Sequence, residues 1–294
     1  MAAARRSAQV RPCDVRQAEK QVASLPRYGV TEPLPPALPQ PPPCPKPPTP
    51  MVHRGIMERH FRTLRFIVDD LVNRGGCPRP RVGVLCENSC ITANFWHMCG
   101  FDVLTCDLIY ETADVSGTVP HYRGDALHLL EHAHLDLVCA FPPCTYLTNS
   151  QTARLTSDPA RWQHMLDGVH FLQSIYHAPD IKFMSIENPK LSPYSRDVLG
   201  ILPTCVMNLH QQGHSESKTV LIFSRNLPPV KPLCDVPGRW KRIASLSPSP
   251  HRSAWRSETL PGIAAALVAT YAPSLIRYMQ TEVFAGPSGR YTCM

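Results

Sequence analysis

Beyond residue 54 the apolar positions recur at helical spacing. Met57, Phe61, Leu64, Val68 and Leu71 step by four and three, lining one face of a helix that Gly75 and Gly76 end. RVGVLC, from Arg81 to Cys86, then reads as a strand, ENSC as a turn, ITANFWHMCG as a helix capped by Gly100, and FDVLTCD as a second strand. A crossover of this length implies that the two strands are parallel. HYRGDALHLL reads as a third strand ending in the acid Asp125, with the N-cap of a helix as the other role for that carboxylate. Leu137 to Ala140 is a short, wholly apolar strand that Pro142 and Pro143 stop. A helix is expected from Pro159, with Trp162, Met165, Val169, Leu172, Ile175 and Tyr176 on one face, followed by a fifth strand in KFMSIENP, Lys182 to Pro189. This alternation predicts one α/β domain over about residues 54–276, with a mostly parallel central sheet.

Composition sets the limits of that domain. Residues 1–53 end in PLPPALPQPPPCPKPPTP, a stretch compatible only with polyproline II or disorder, and begin with the basic residues Arg5, Arg6, Arg11, Arg16, Lys20 and Arg27. They are expected to form a basic, proline-rich tail, and residues 277–294 a second tail. The 294-residue chain is 43% hydrophobic, enough for a core, and its formal charge of +7 suits a polyanionic partner or simply a solvated surface. The 12 cysteines include no CxxC pair, and Cys86 and Cys90 have no matching second pair, so no metal site is expected. With neither a signal peptide nor a run of ~18 apolar residues, the reading is an intracellular protein with reduced thiols and no membrane partner.

The chemistry is expected where open α/β sheets hold ligands, at the carboxyl ends of the strands. Cys144 stands on the loop after the strand Leu137 to Ala140, among the small polar residues Thr145, Thr148, Asn149 and Ser150. It is either a nucleophile or a packed thiol. Glu187 leaves the next strand at the same edge, which pairs a thiol with a carboxyl, unless it is a plain surface glutamate. After the first two strands stand Asn88 and Cys90, where a nucleotide-type cofactor site normally has glycines, and Asp107, where such a site has its ribose-binding acid. On spacing alone, a purely structural crossover is an equal reading.

Taken in order, VGVLCENS, VLTCD, RGDALHL, DLVCAFPPCTYLTNS, SIENP, GHSESKT and RSETLPGIA resemble the motif series of the DNA cytosine-5 methyltransferases, most nearly the compact phage and large-virus forms. The match runs from about Val82 to Tyr271, and PPCTYLT, IENP and RSETLPGIA are its most specific pieces.

The resemblance implies a class I methyltransferase fold, a Rossmann-like three-layer sandwich around a mostly parallel seven-stranded sheet. It implies S-adenosylmethionine as cofactor and DNA as partner, a target cytosine flipped from its helix, and a monomer, in the nucleus if the source or host cell is eukaryotic. By motif position Cys144 corresponds to the nucleophile that adds to cytosine C6, and Glu187 to the acid that holds N3. Glu87, Asn88, Ser89, Asp107, Asp125 and Pro142 fall at cofactor positions, with Asp107 at the ribose and Asp125 at the adenine. Thr145, Asn188, His214, Lys218 and Arg256 fall beside the substrate. RSETLPGIA would open a helix packing back toward the cofactor pocket. The missing glycines leave a second reading, a nucleic-acid-binding module that has lost catalysis, and RNA is the alternative substrate. Between Lys218 and Arg256 about forty residues stand where larger relatives carry a target-recognition domain, and Arg239, Lys241, Arg242, Arg252 and Arg256 there could track phosphates or simply form a solvated loop.

Overall fold

A computed structural model describes residues 54–87, 89–108, 119–155, 157–237, 241, 245, 256 and 259–284. The expectations for the tail at 1–53, for Asn88, and for Arg239, Arg242 and Arg252 lie outside the described residues.

Helix α1 (Arg54–Gly75) leads into strand β1 (Arg81–Leu85), helix α2 (Ile91–Met98) and strand β2 (Asp102–Asp107). The two glycines expected to end the helices do so in the left-handed region, Gly76 at φ 64° and Gly100 at φ 86°, which only glycine occupies without strain. Strand β3 (His121–Arg123), helix α3 (Ala126–His132) and strand β4 (Leu137–Ala140) follow, then α4 (Thr152–Leu155), α5 (Pro159–Tyr176), β5 (Phe183–Pro189), α6 (Pro193–Leu199), β6 (Cys205–Asn208), β7 (Thr219–Arg225) and α7 (Pro261–Phe284).

The strands form one seven-stranded sheet in the order β3-β2-β1-β4-β5-β7-β6. The β1, β2, β3, β4 and β5 pairings are parallel, and β7 is inserted antiparallel between β5 and β6. This is a doubly wound, Rossmann-like α/β fold of the expected class, in which the strand order reverses between β1 and β4 and opens a crevice at the carboxyl edge.

The period-2 alternation of the strands explains the two cores. Val82, Val84, Val103, Leu137 and Cys139 point to one face and pack with Phe61, Val68, Phe95, Trp96 and the α7 residues Ile263, Leu267 and Tyr271. Leu104, Cys106, Val138, Ala140, Met184 and Ile186 point to the other and pack with Leu129, Met165, Val169, Leu172 and Ile175. Both faces are covered, so the central strands read as continuous apolar runs.

Three expectations are corrected. The domain does not end at residue 276, because α7 continues to Phe284 and buries Met279. Strand β3 stops at Arg123, short of Asp125, and of the two roles open to that carboxylate the structure shows the helix cap, its Oδ1 accepting from the Leu127 amide at 2.9 Å. Trp162 does not join the buried face of α5; it stays 36% exposed.

Candidate active site

The loop after β4 is shaped by its own backbone. The Cys144 carbonyl accepts from the amides of Leu147 at 3.0 Å and Thr148 at 3.2 Å, turning the chain tightly behind the two prolines. That turn is tied to the exit of β5, where Asn149 donates to the Lys190 carbonyl at 3.0 Å and Ser192 to the Leu147 carbonyl at 2.8 Å. Asn188, fully buried, donates from its amide nitrogen to the Pro142 carbonyl at 3.2 Å. Asn188 and Pro142 thus join the two loops, so the ends of β4 and β5 act as one unit.

Cys144 and Glu187 meet across this unit. Ala140 pairs with Ile186, so Glu187 is the first β5 residue beyond the β4 ladder, and its carboxyl lies close enough to influence the thiol. Burial pushes the half-buried Cys144 thiol above its ordinary range and the Glu187 charge pushes it further, while Lys218, the amide of Cys144 and Arg256 pull it back. Glu187 is itself raised by burial against the opposing charge of Lys218, and its Oε1 is buried with no hydrogen-bond partner among the described residues. Thr145 is exposed beside the thiol. The structure therefore brings together Cys144, Glu187, Lys218 and Arg256, which sequence alone spreads over more than a hundred residues.

The second half of the crevice lies over β1 and β2. Glu87 is buried, and its carboxylate accepts from the Ser89 hydroxyl at 2.5 Å and from the Thr92 amide at 3.2 Å, with Thr259 as a further donor. It caps the first turn of α2, which would otherwise expose unpaired amides. Burial raises its pKa and those donors oppose the rise. Asp107 at the end of β2 and Asp125 at the start of α3 both approach the Cys86 and Cys106 thiols, which burial and these charges push up. The turn has the glycine-like backbone its glycine-free sequence concealed: Cys86 sits at φ 59° and Cys90 at φ 54°.

His214 is the residue whose expected place changes most. It is 1% exposed, and its Nε2 accepts from the Gly262 amide at 2.8 Å, capping the first turn of α7. Gly262 is required there, because a Cβ would run into the Gln212 carbonyl and lie 2.5 Å from His214 Cδ2. The contacts of His214 thus hold α7, and through Thr259 and Glu87 the same segment closes onto the β1 loop. Thr259 is not among the expected site residues, although it lies within RSETLPGIA, just ahead of the Pro-Gly helix start.

The fold and crevice define a Rossmann-like α/β protein with a thiol–carboxyl pair at the strand ends. No family model matches the sequence, and no curated protein matches it. Among solved structures it is similar to the methyltransferase EhMeth of Entamoeba histolytica, with TM-score 0.37 and 12% identity over 54% of this chain and 58% of that one. It is also similar to a SAM dependent methyltransferase from Archaeoglobus fulgidus, with TM-score 0.25 and 20% identity over 46% of this chain and 57% of that one. A third is the N-methyltransferase NodS from Bradyrhizobium japonicum WM9, with TM-score 0.30 and 10% identity over 60% of this chain and 100% of that one. The chain spans rather more than half the length of the first two. Likeness at these levels assigns no activity, and the functional reading rests on the site.

Proposed function

We propose that this chain is an S-adenosylmethionine-dependent methyltransferase that acts on C5 of cytosine in DNA through a covalent adduct with Cys144. One observation carries the reading: a thiol and a carboxyl with an unpartnered buried oxygen meet at the carboxyl edge of a doubly wound sheet, flanked by two cations. A buried oxygen without a partner costs about 1–3 kcal/mol, and a ligand that donates to it removes that cost.

The crevice over β1 and β2 fits the cofactor. The left-handed backbone at Cys86 and Cys90 gives the turn the shape that glycines usually provide. Asp107 would hold the ribose hydroxyls, and the second oxygen of Asp125 the adenine amino group. Glu87 and Ser89 brace the loop. When bound, S-adenosylmethionine supplies a methyl group on a sulfonium, an electrophile that cytosine C5 is too poor a nucleophile to attack unaided.

The chain's own residues supply the activation. Cys144, as thiolate, adds to C6 of the flipped base, and Glu187, protonated in its raised range, donates to N3 as negative charge develops on the ring. The electron pair displaced by the new S–C bond makes C5 nucleophilic. After methylation a water molecule takes the C5 proton, the C5–H electron pair forms the C5–C6 double bond and expels the Cys144 thiolate, and N3 returns its proton to Glu187, which restores the aromatic ring. Lys218 and Arg256 favour the thiolate and would pair with a phosphate of the bound strand.

The test is covalent trapping. DNA carrying 5-fluorocytosine, incubated with the full chain and S-adenosylmethionine, is expected to form an adduct stable to denaturing electrophoresis, since fluorine cannot leave as the C5 proton does. Cys144→Ala should abolish it. An adduct that survives this change overturns the choice of nucleophile; adducts on RNA alone overturn DNA as substrate; and a folded chain giving no heat with millimolar S-adenosylmethionine returns it to the binding-module reading.

A further inference from the structure

Helices that follow parallel strands begin at the carboxyl edge of the sheet, so the first turns of α5 and α6 stand on the rim of the crevice beside the Cys144 loop. That rim carries aromatic rings interleaved with cations. Tyr146, two residues past the thiol, packs on the His164 ring with centroids 4.9 Å apart, and the Arg161 guanidinium lies 5.8 Å from the Tyr146 centroid. Trp162, 36% exposed, meets Tyr194 edge to face with centroids 5.3 Å apart. An edge-to-face pair leaves ring faces open for a further planar partner. Lys190 is exposed on the segment that joins the β5 exit to α6. Arg161 also contacts the Asp158 carboxylate at 3.3 Å and Gln151 Oε1 at 3.4 Å, contacts that anchor its guanidinium at the rim.

Fixed rings alternating with positive charge match an unpaired polynucleotide strand, whose bases offer open π-faces and whose phosphates complement the cations. A duplex hides those faces in its own stack. We infer that the rim formed by Tyr146, Arg161, Trp162, Lys190 and Tyr194 binds the unpaired nucleotides flanking the target base. The inference rests on the nucleic-acid reading of the site and deepens it: the substrate is a cytosine in a strand already open, as in single-stranded or bubble DNA.

Fluorescence anisotropy on the full chain carrying Cys144→Ala tests this with three labelled DNAs of one sequence: a single strand, its perfect duplex, and a duplex with a mismatched bubble around the cytosine. Single strand and bubble are expected to bind at least about tenfold tighter than the duplex. Trp162→Ala or Tyr194→Ala should each weaken the single strand about tenfold, as loss of one stacking platform does, and leave the duplex unchanged. Trp162→Phe and Tyr194→Phe should restore binding, which separates stacking from loss of folding. Lys190→Gln should weaken all three DNAs and lower the salt slope by about one phosphate. Duplex binding equal to single-strand binding, or an indifferent Trp162→Ala, overturns the inference. Fluorocytosine trapping keeps the two readings apart: strand-selective binding without any adduct removes the chemistry and spares the rim, while equal adducts on duplex and single strand do the reverse.

Discussion

Changing Glu187 to Gln should slow the reaction sharply and stabilise the protein, two effects with one cause. The carboxyl is raised chiefly by burial, with Lys218 opposing, and its Oε1 has no hydrogen-bond partner among the described residues. A folded-state pKa above the unfolded one means that the native chain holds an extra proton between the two values, so stability falls as pH rises through that window and the penalty is complete above it. The neutral amide never ionises and escapes the penalty. It keeps one orphaned polar atom and leaves the half-exposed Lys218 without its partner, each a small loss. The expected net gain is about 1 kcal/mol at neutral pH, or roughly 2–4 °C in Tm for a domain of this size. Adduct formation on fluorocytosine DNA should slow by at least about 100-fold, the usual worth of a positioned acid. Differential scanning fluorimetry across pH makes the decisive measurement: the gap between variant and wild type should shrink as pH falls toward the ordinary glutamate range. A variant that melts lower at neutral pH, or a gap independent of pH, would refute the view of Glu187 as a strained acid awaiting a donor.

Three other changes probe the rest of the site. Adduct formation by the wild-type chain should accelerate from neutral to alkaline pH as the raised Cys144 thiol ionises, and Lys218→Ala should move that rise to still higher pH; a flat profile in single-turnover kinetics would contradict the assignment. Gly262→Ala drives a methyl into the Gln212 carbonyl and the His214 ring, and chemical denaturation should record a loss of about 3 kcal/mol or more, where a loss under 1 would show that α7 can shift freely. Cys86→Gly relieves a left-handed residue at φ 59° and should leave stability unchanged or raise it by up to about 1 kcal/mol, with calorimetric S-adenosylmethionine binding retained; a clear loss would mean that the thiol packs more than the backbone strains.

Most of the architecture was legible because both faces of the sheet are covered. Burial on two sides turns β1, β2, β4 and β5 into apolar runs, and one-sided burial gives α1 and α5 their 3.6 period, so each element carried its own signal. The far end of the sheet was not read this way. β6 is a four-residue edge strand with only Met207 buried, and β7 earns its place by pairing antiparallel with β5 and β6, a long-range choice without a local pattern. The continuation of α7 past residue 276 was likewise hidden, since RYMQTEVF mixes polar and apolar residues and the burial of Met279 depends on partners elsewhere in the chain.

Within the site, the same residue types divide by how their polar atoms are satisfied, and only the folded chain decides that. Glu87 and His214 stand in the same motif series as Glu187, yet both are fully employed: one carboxylate on Ser89, Thr92 and Thr259, one ring on the Gly262 amide, holding helix starts that would otherwise expose bare donors. Gly262 lies 48 residues from His214, and Thr259 lies 172 residues from Glu87 (259 minus 87), out of reach of any spacing rule. Glu187 Oε1 and Asn188 Oδ1, by contrast, are buried at the strand ends with no hydrogen-bond partner among the described residues. Since native structures rarely leave such atoms unpaired, an internal partner marks a residue that builds the crevice, whereas an orphaned oxygen beside a thiol marks the position from which the crevice would contact its substrate.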